Sequence, residues 1–396
     1  MKKYIAVTGG QLFNKGAQAM TFITADEVAK RFPDLETVVI SNMDARRSVE
    51  EKEIYTFPII KYPKPFELIL MQNKLGRSLC GIFGGKDAKK YIEIMENTAA
   101  VIDISGYSLG SDWGYKKTVF YLTRLKVAYN AGAAVYLMPQ SFGPFDYKGI
   151  MAPFIHGMIR RNMRKVNMIM CREKAGHDLL KEKYGLENMI VAPDLVLQNM
   201  GVNTDNIYKK PPVLQDIAIE QNSVAIIPNQ KTMLFGNPEA LSHMYKQMLD
   251  ILLKRGKTVY LLYHSSEDLS ICEKIKKELY PEDKRVILVT RELSCLEFDT
   301  LVSKFDFIIA SRFHAVVHAY RNAIPCIVPG WAIKYKELME LFGQGEFMFD
   351  VKGEIREEDL ENAVALMCDR YQEYSHRIEA GLKDVRKKNV YEYIDF

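Results

Sequence analysis

The chain has 396 residues, 48% of them hydrophobic, and a formal net charge of +4 at neutral pH. That length and apolar content suit two ordinary domains and exclude a disordered chain. A balance so near zero leaves no footprint for nucleic acid or other polyanions, although a mild excess of Lys and Arg suits small anionic ligands.

Tyr4–Thr8 is a short apolar strand that breaks at Gly9-Gly10, too soon for the core of a secretory signal. Lys15–Arg31 has helical character and Leu35–Ser41 is the next strand. Residues 57–97 interrupt the pattern with Pro58, Pro63 and Pro65, the apolar run Phe66–Met71 and a Gly/Lys-rich piece. This stretch reads as an insertion. Its apolar and basic mixture (Lys61, Lys64, Lys74, Arg77, Lys86, Lys89, Lys90) fits a segment resting on a membrane or covering an acceptor lipid. A lid or packing helix with solvated lysines accounts for it better. Strands Ala99–Ser105, Ala133–Met138, Val166–Cys171 and Met189–Ala192 follow, with helices near 116–131, 149–164 and 173–184. Residues 199–216 are polar, carry a double proline and read as a linker. The alternation then restarts with strands Ser223–Ile227, Thr258–Tyr263, Arg285–Val289, Phe305–Ala310 and Ile324–Val328. Helices lie near 238–255, 267–280, 294–303, 314–322 and 334–342, and residues 356–396 read as a helical tail.

Short buried strands alternating with helices predict parallel sheets covered on both faces. The fold class is therefore α/β, with two Rossmann-like, doubly wound domains at 1–205 and 217–355 facing a cleft. No apolar run approaches the ~20 residues that span a bilayer. Six scattered cysteines without C-x-x-C spacing read as reduced thiols, which implies a cytoplasmic protein.

Ligands of open α/β sheets bind beyond the carboxyl ends of the strands. After the first strand, Gly9, Gly10, Asn14 and Lys15 precede a helix, so backbone and helix start could approach an anion; a plain glycine-rich turn is the alternative. The loop containing Gly106 and Tyr107 is rich in hydroxyls and suits a sugar, or packs between the domains. Gln140 and Arg172 sit at further strand ends, Arg172 either on a ligand or paired with Glu173. In the second domain His264 follows one strand and Ser311-Arg312-Phe313-His314 follows another. Ser311 can cap the next helix. Arg312 offers a guanidinium fork for phosphate or carboxylate. His314, in the first helical turn, can act as acid or base beside a bound anion. His318 is one turn on, but no third ligand is near, so no metal site is expected. Lys334 opens a helix at the neighbouring strand end, where an anion would offset its conflict with the helix dipole.

Ser311-Arg312-Phe313-His314-Ala315, then Ala319, Ile324-Pro325 and Lys334, resembles the C-terminal signature of the polysaccharide pyruvyl transferase family. Asn14-Lys15-Gly16, Ser105-Gly106, Gly143-Pro144, Arg172-Glu173 and Pro193-Asp194 are similar to family positions in the same order, so the resemblance covers roughly residues 4–345. Ala17-Gln18 stands where the family often has an aspartate, and Asn322-Ala323 where it often has a glycine. The resemblance implies a glycosyltransferase-B-like fold, phosphoenolpyruvate as co-substrate with no other cofactor, and a saccharide acceptor that can be lipid-linked. The implied product is a pyruvate ketal on a cell-surface polysaccharide precursor, made in the cytoplasm or at the inner face of the membrane. Arg312 and His314 would be the catalytic pair. Arg312, Lys334, Ser311 and His264 would hold the donor, and Gly9, Gly10, Asn14, Lys15, Gly106, Tyr107, Gln140 and Arg172 would face the acceptor or cleft. Two other readings stay open. One is a nucleotide-sugar glycosyltransferase, with Glu337 or Glu340 near the ribose. The other is a sugar- or phosphate-binding protein without catalysis.

Overall fold

The computed structural model describes residues 2–235, 237–387 and 389–396. Their strands form two sheets. The first contains β1 (Tyr4–Thr8), β2 (Glu36–Ile40), β3 (Ile59–Ile60), β4 (Thr98–Asp103), β5 (Tyr107–Leu109), β6 (Ala134–Phe142), β7 (Met168–Cys171) and β8 (Met189–Val191). Its order is β3-β2-β1-β4-β6-β7-β8, with β5 beside β6. The second contains β9 (Ser223–Ile227), β10 (Thr258–Leu261), β11 (Val286–Leu288), β12 (Phe307–Ala310), β13 (Cys326–Gly330) and β14 (Met348–Asp350). Its order is β11-β10-β9-β12-β13-β14. All pairings within both sheets are parallel. In each sheet the winding reverses once, between β1 and β4 and between β9 and β12, and the crevice at such a reversal is where ligands sit.

Period-two alternation sets the two faces of the first sheet. Ile5 and Val7 point into a core shared with the second lobe, whereas Ala6 belongs to a separate outer cluster with Val38, Val101 and Val135. The helix Lys15–Arg31 lies between the lobes and is buried from Lys15 to Val28 apart from Ala17. Asn14 starts it by accepting hydrogen bonds from the N–H groups of Gly16 and Ala17. The 57–97 insertion is structured: β3 extends the sheet edge, and helices Pro65–Leu70, Lys74–Phe83 and Lys86–Glu96 follow. Part of the polar stretch 199–216 is tied down as well, with Tyr208 bridged to Tyr55.

β6 runs on to Phe142 rather than ending at Met138, because β5 lies alongside its last residues and pairs Tyr107 with Ser141. Gln140 is therefore inside the sheet rather than in a loop. The long helix Glu357–Val385, kinked at Arg370, packs on the helix Pro238–Lys254. Beyond it the chain returns to the first lobe, where the Tyr391 hydroxyl meets Thr24 Oγ1 at 2.7 Å and Asp395 N–H donates to the Tyr136 hydroxyl.

Candidate active site

The carboxyl ends of both sheets open onto one cleft of about 1060 Å³. Gly9, Gly10, Asn14, Gly106, Tyr107 and Arg172 line it from the first lobe, and His264, Arg312, His314 and Lys334 from the second. The loops after β1 and β4 touch there. Gly9 has φ +81°, and a Cβ on it would fall 2.2 Å from Ser105 Oγ, so only glycine allows this approach.

His314 is a second-lobe residue seated in the first lobe. A Cβ on Gly16 would lie 2.1 Å from its Cγ, so the ring rests against bare backbone. Its Nε2 is 3.5 Å from Asp194 Oδ2, a charge contact rather than a hydrogen bond. Burial lowers the imidazole pKa, and Asp194 opposes the shift. Gly16→Ala should push the ring out of this seat. The expected result is about 1–3 kcal/mol of destabilisation by overpacking and a turnover loss of at least about tenfold, read by denaturant melting and steady-state rates. A variant with wild-type melting and turnover would show that the lobes do not meet here in solution.

Several side chains expected at a ligand have partners within the protein. The Arg312 fork is already occupied. Nε and Nη2 donate to the two Asp268 oxygens at 2.8 and 2.6 Å, and Nη2 also meets Glu267. Asp268 is fully buried and needs this permanent cation, which leaves Nη1 as the end without a partner among the described residues. Ser311 neither caps the helix nor lines the cleft. Its hydroxyl meets the Tyr245 hydroxyl at 2.9 Å, and its carbonyl accepts from Asn229 Nδ2 and the Tyr335 hydroxyl. The helix Phe313–Arg321 consequently has no side-chain cap; the Ala315 and Val316 N–H groups donate to the Arg312 carbonyl, and the His314 N–H is the first-turn donor left for an anion among the described residues.

Lys15 points away from the cleft. Its Nζ donates to the His264 carbonyl at 3.2 Å and sits 4.8 Å from the Tyr263 ring centre, and burial brings its pKa down to about 8. Gln140 is buried and donates to Asp103 Oδ1. Arg172 is a strut. It donates to Glu173, Asp194, Ser141 and the Gly106 carbonyl, and its guanidinium stacks 4.1 Å from the Phe313 ring centre. Asn14 reaches the cleft wall, but its side-chain oxygen is taken by the helix start it caps. The Tyr107 hydroxyl donates to Asp112, and its ring lies 5.3 Å from Trp113.

His264 faces the cleft with neither ring nitrogen bonded among the described residues. Burial first, then Lys15, His318 and other nearby cations, drives its pKa well below the ordinary value, so it is a neutral ring rather than a cation for phosphate. Lys334 is half-buried on the cleft wall and makes no hydrogen bond or ion pair among the described residues. Its Nζ is 5.3 Å from the Phe313 ring centre, and burial, with Arg172 next, lowers its pKa to about 7. His318 turns away to Asp299 at 2.8 Å. Among the described residues no three His, Cys, Asp or Glu side chains are grouped to hold a metal.

Glu337, considered above for a ribose, instead accepts from the N–H groups of Lys174 and Ala175 and so caps a first-lobe helix from across the cleft. Glu340 pairs with Lys336 on the surface. Asp268 beneath Arg312 and Arg124, which lines the cleft above the Tyr62 ring, are contributions that strand-end reasoning did not single out, and Asp194 beside His314 entered only through the family resemblance. Asp194 carried a usable signal, since Pro193-Asp194 follows β8 as the other ligand loops follow their strands.

Two doubly wound lobes with a cleft at both winding reversals define the glycosyltransferase-B-like class of fold. Two solved structures agree. A putative UDP-N-acetylglucosamine 2-epimerase from Listeria monocytogenes matches with TM-score 0.60 at 12% identity, covering 96% of this chain and 91% of that one. An S. aureus MnaA–UDP co-structure matches with TM-score 0.57 at 12% identity, covering 99% and 94%. An O-GlcNAc transferase mutant from Thermobaculum terrenum is longer, and the chain covers 65% of it while 99% of this chain is matched, at 12% identity and TM-score 0.49. No curated protein matches the sequence. The model of the polysaccharide pyruvyl transferase family matches residues 14–331, and the chain belongs to that family of transferases.

Proposed function

We propose that the chain transfers a pyruvyl group from phosphoenolpyruvate to a sugar of a cell-surface polysaccharide precursor, on the cytoplasmic side, releasing phosphate. The observation that carries the donor is Lys334, a half-buried amine with no hydrogen-bond or ion-pair partner among the described residues. It shares the cleft with the free Nη1 end of Arg312 and the uncapped helix start at Phe313. An anion with both a phosphate and a carboxylate would answer that set.

The chemistry balances without another cofactor. The donor methylene carbon gains a proton and becomes the methyl group. One sugar hydroxyl oxygen bonds the central carbon. A second hydroxyl oxygen bonds the same carbon as its bond to the phosphate oxygen breaks, giving a cyclic ketal. Of the two hydroxyl protons, one balances the new methyl C–H and the other leaves with phosphate. His314 would move these protons, and the aromatic loop at Tyr107 and Trp113 would carry the sugar ring; both line the cleft.

The test is phosphate release from phosphoenolpyruvate across a panel of saccharides with hydroxyl pairs, with mass analysis of the product. No release with any of them, together with thermal stabilisation by a nucleotide sugar, would overturn the reading. Binding of the donor without turnover on any acceptor would favour the non-catalytic one. A narrower test uses sulfate, whose charge is fixed at neutral pH. A Lys334 with pKa about 7 must take up a proton to bind it above that pH. Affinity should therefore be highest below pH 7 and fall by up to about tenfold per unit above it. In Lys334→Met it should be weak and flat, as calorimetry would show.

A further inference from the structure

The helix Lys74–Phe83 is built with its apolar side outward. Gly76, Arg77 and Cys80 face the protein, while Leu75, Leu79, Ile82 and Phe83 are 71%, 45%, 64% and 81% exposed. Their spacing of i, i+4, i+7 and i+8 places them on one face. The preceding helix Pro65–Leu70 leaves Phe66, Ile69 and Leu70 exposed in the same way. The helix Gly114–Asn130 packs against Pro65–Leu70 and against Ala152–Met163, and the start of the latter exposes Ile150, Met151 and Phe154. An apolar surface of this extent marks an interaction site rather than ordinary scatter.

The charge around it selects the partner. Residues 61–90 hold seven lysines and arginines against two acids, a local +5 in a chain whose total is +4. Six of the seven, Lys61, Lys64, Lys74, Lys86, Lys89 and Lys90, are exposed. Of the acids, Glu67 is buried and accepts from the N–H groups of Lys64 and Gly85. A second copy of the chain would bring the same basic rim against itself. A bilayer with anionic headgroups matches both parts, because apolar side chains enter the acyl boundary while lysines meet phosphates. The patch also continues into the cleft: Pro65, Ile69 and Met151 belong to the cleft wall and are exposed on this face.

We propose that this face docks on an anionic membrane surface. It would then present the cleft mouth to a saccharide carried on a lipid. That last step rests on the transferase reading above, whereas the docking itself does not.

The test is co-sedimentation of the full chain with phosphatidylcholine vesicles containing about 30 mol% phosphatidylglycerol, compared with phosphatidylcholine alone. The expected result is at least about tenfold tighter binding to the anionic vesicles, weakened by raising salt from about 0.1 to about 0.5 M. Leu75→Glu/Phe83→Glu, outside the cleft, should lose at least about tenfold of that binding with unchanged melting and unchanged turnover on a soluble acceptor. Failure of the wild type to bind anionic vesicles, or equal binding by the double variant, would overturn the proposal. A dimer that the double variant breaks, without vesicle binding, would overturn it in favour of self-association. Vesicle binding by a chain that releases no phosphate from phosphoenolpyruvate would sink the reaction assigned above and leave the docking standing.

Discussion

Replacing His314 with glutamine is expected to cut turnover by about 10²–10⁴-fold while leaving the melting transition close to that of the wild type. The amide fills most of the space against Gly16 and can still face Asp194, so the seat between the lobes persists. What is lost is a group that exchanges a proton near neutral pH. In the empty cleft burial lowers the His314 pKa, and the phosphate and carboxylate of the proposed donor would draw it up again. Arg312 cannot substitute, since its guanidinium is always charged and mostly held by Asp268. Single-turnover phosphate release separates chemistry from binding. A glutamine variant within a few-fold of wild type would remove His314 from the reaction.

Replacing Asp194 with asparagine is expected to cost about 3–5 kcal/mol of stability, measured by denaturant unfolding, in addition to lowering activity. Asp194 is fully buried, accepts from Arg172 Nη1 at 2.9 Å and from Val196 N–H, and lies beside His314. Burial alone would raise its pKa. His314, Arg172 and the Val196 N–H outweigh this and hold the carboxyl below the ordinary range. Its contribution is therefore fully present above about pH 4 and is lost only as pH falls through the lowered native value. The asparagine variant leaves Arg172 buried with Glu173 as its remaining acid partner. Arg172→Met/Asp194→Leu should recover much of the loss, because removing both charges avoids an unmatched one. Wild-type unfolding of the single variant would mean that the pair is solvated.

The sequence pattern located β1, the helix Lys15–Arg31 and β9 at their observed limits, because each is a compact apolar or capped segment with glycine or polar breaks beside it. It missed β3, β5 and β14, which are two or three residues long; Gly106 and Gly110 around β5 look like a loop. Strand-end logic gathered Gly9, Gly106, His264, Arg312, His314 and Lys334 around one cleft. It failed where the answer depended on a partner far away in the chain. Nothing near Arg312 in sequence announces Asp268, nothing near Lys15 announces the His264 carbonyl, and Glu337 caps a helix whose start is at Lys174. Those pairings exist only once two sheets face each other, so charge type was readable and charge availability was not.

The seat of His314 links acidity to the shape of the molecule. Its surroundings, Gly16 and Asp194, come from the opposite lobe, so any parting of the lobes returns the ring to water. With the lobes together its pKa lies below 6.5, and apart it would return towards that value. The separated form then binds more protons near pH 6, and mild acid shifts the population towards an open cleft. An anionic donor pulls the other way. The same imidazole would thus act as a latch that holds while it is uncharged or matched by a bound anion and slips when it is protonated without one.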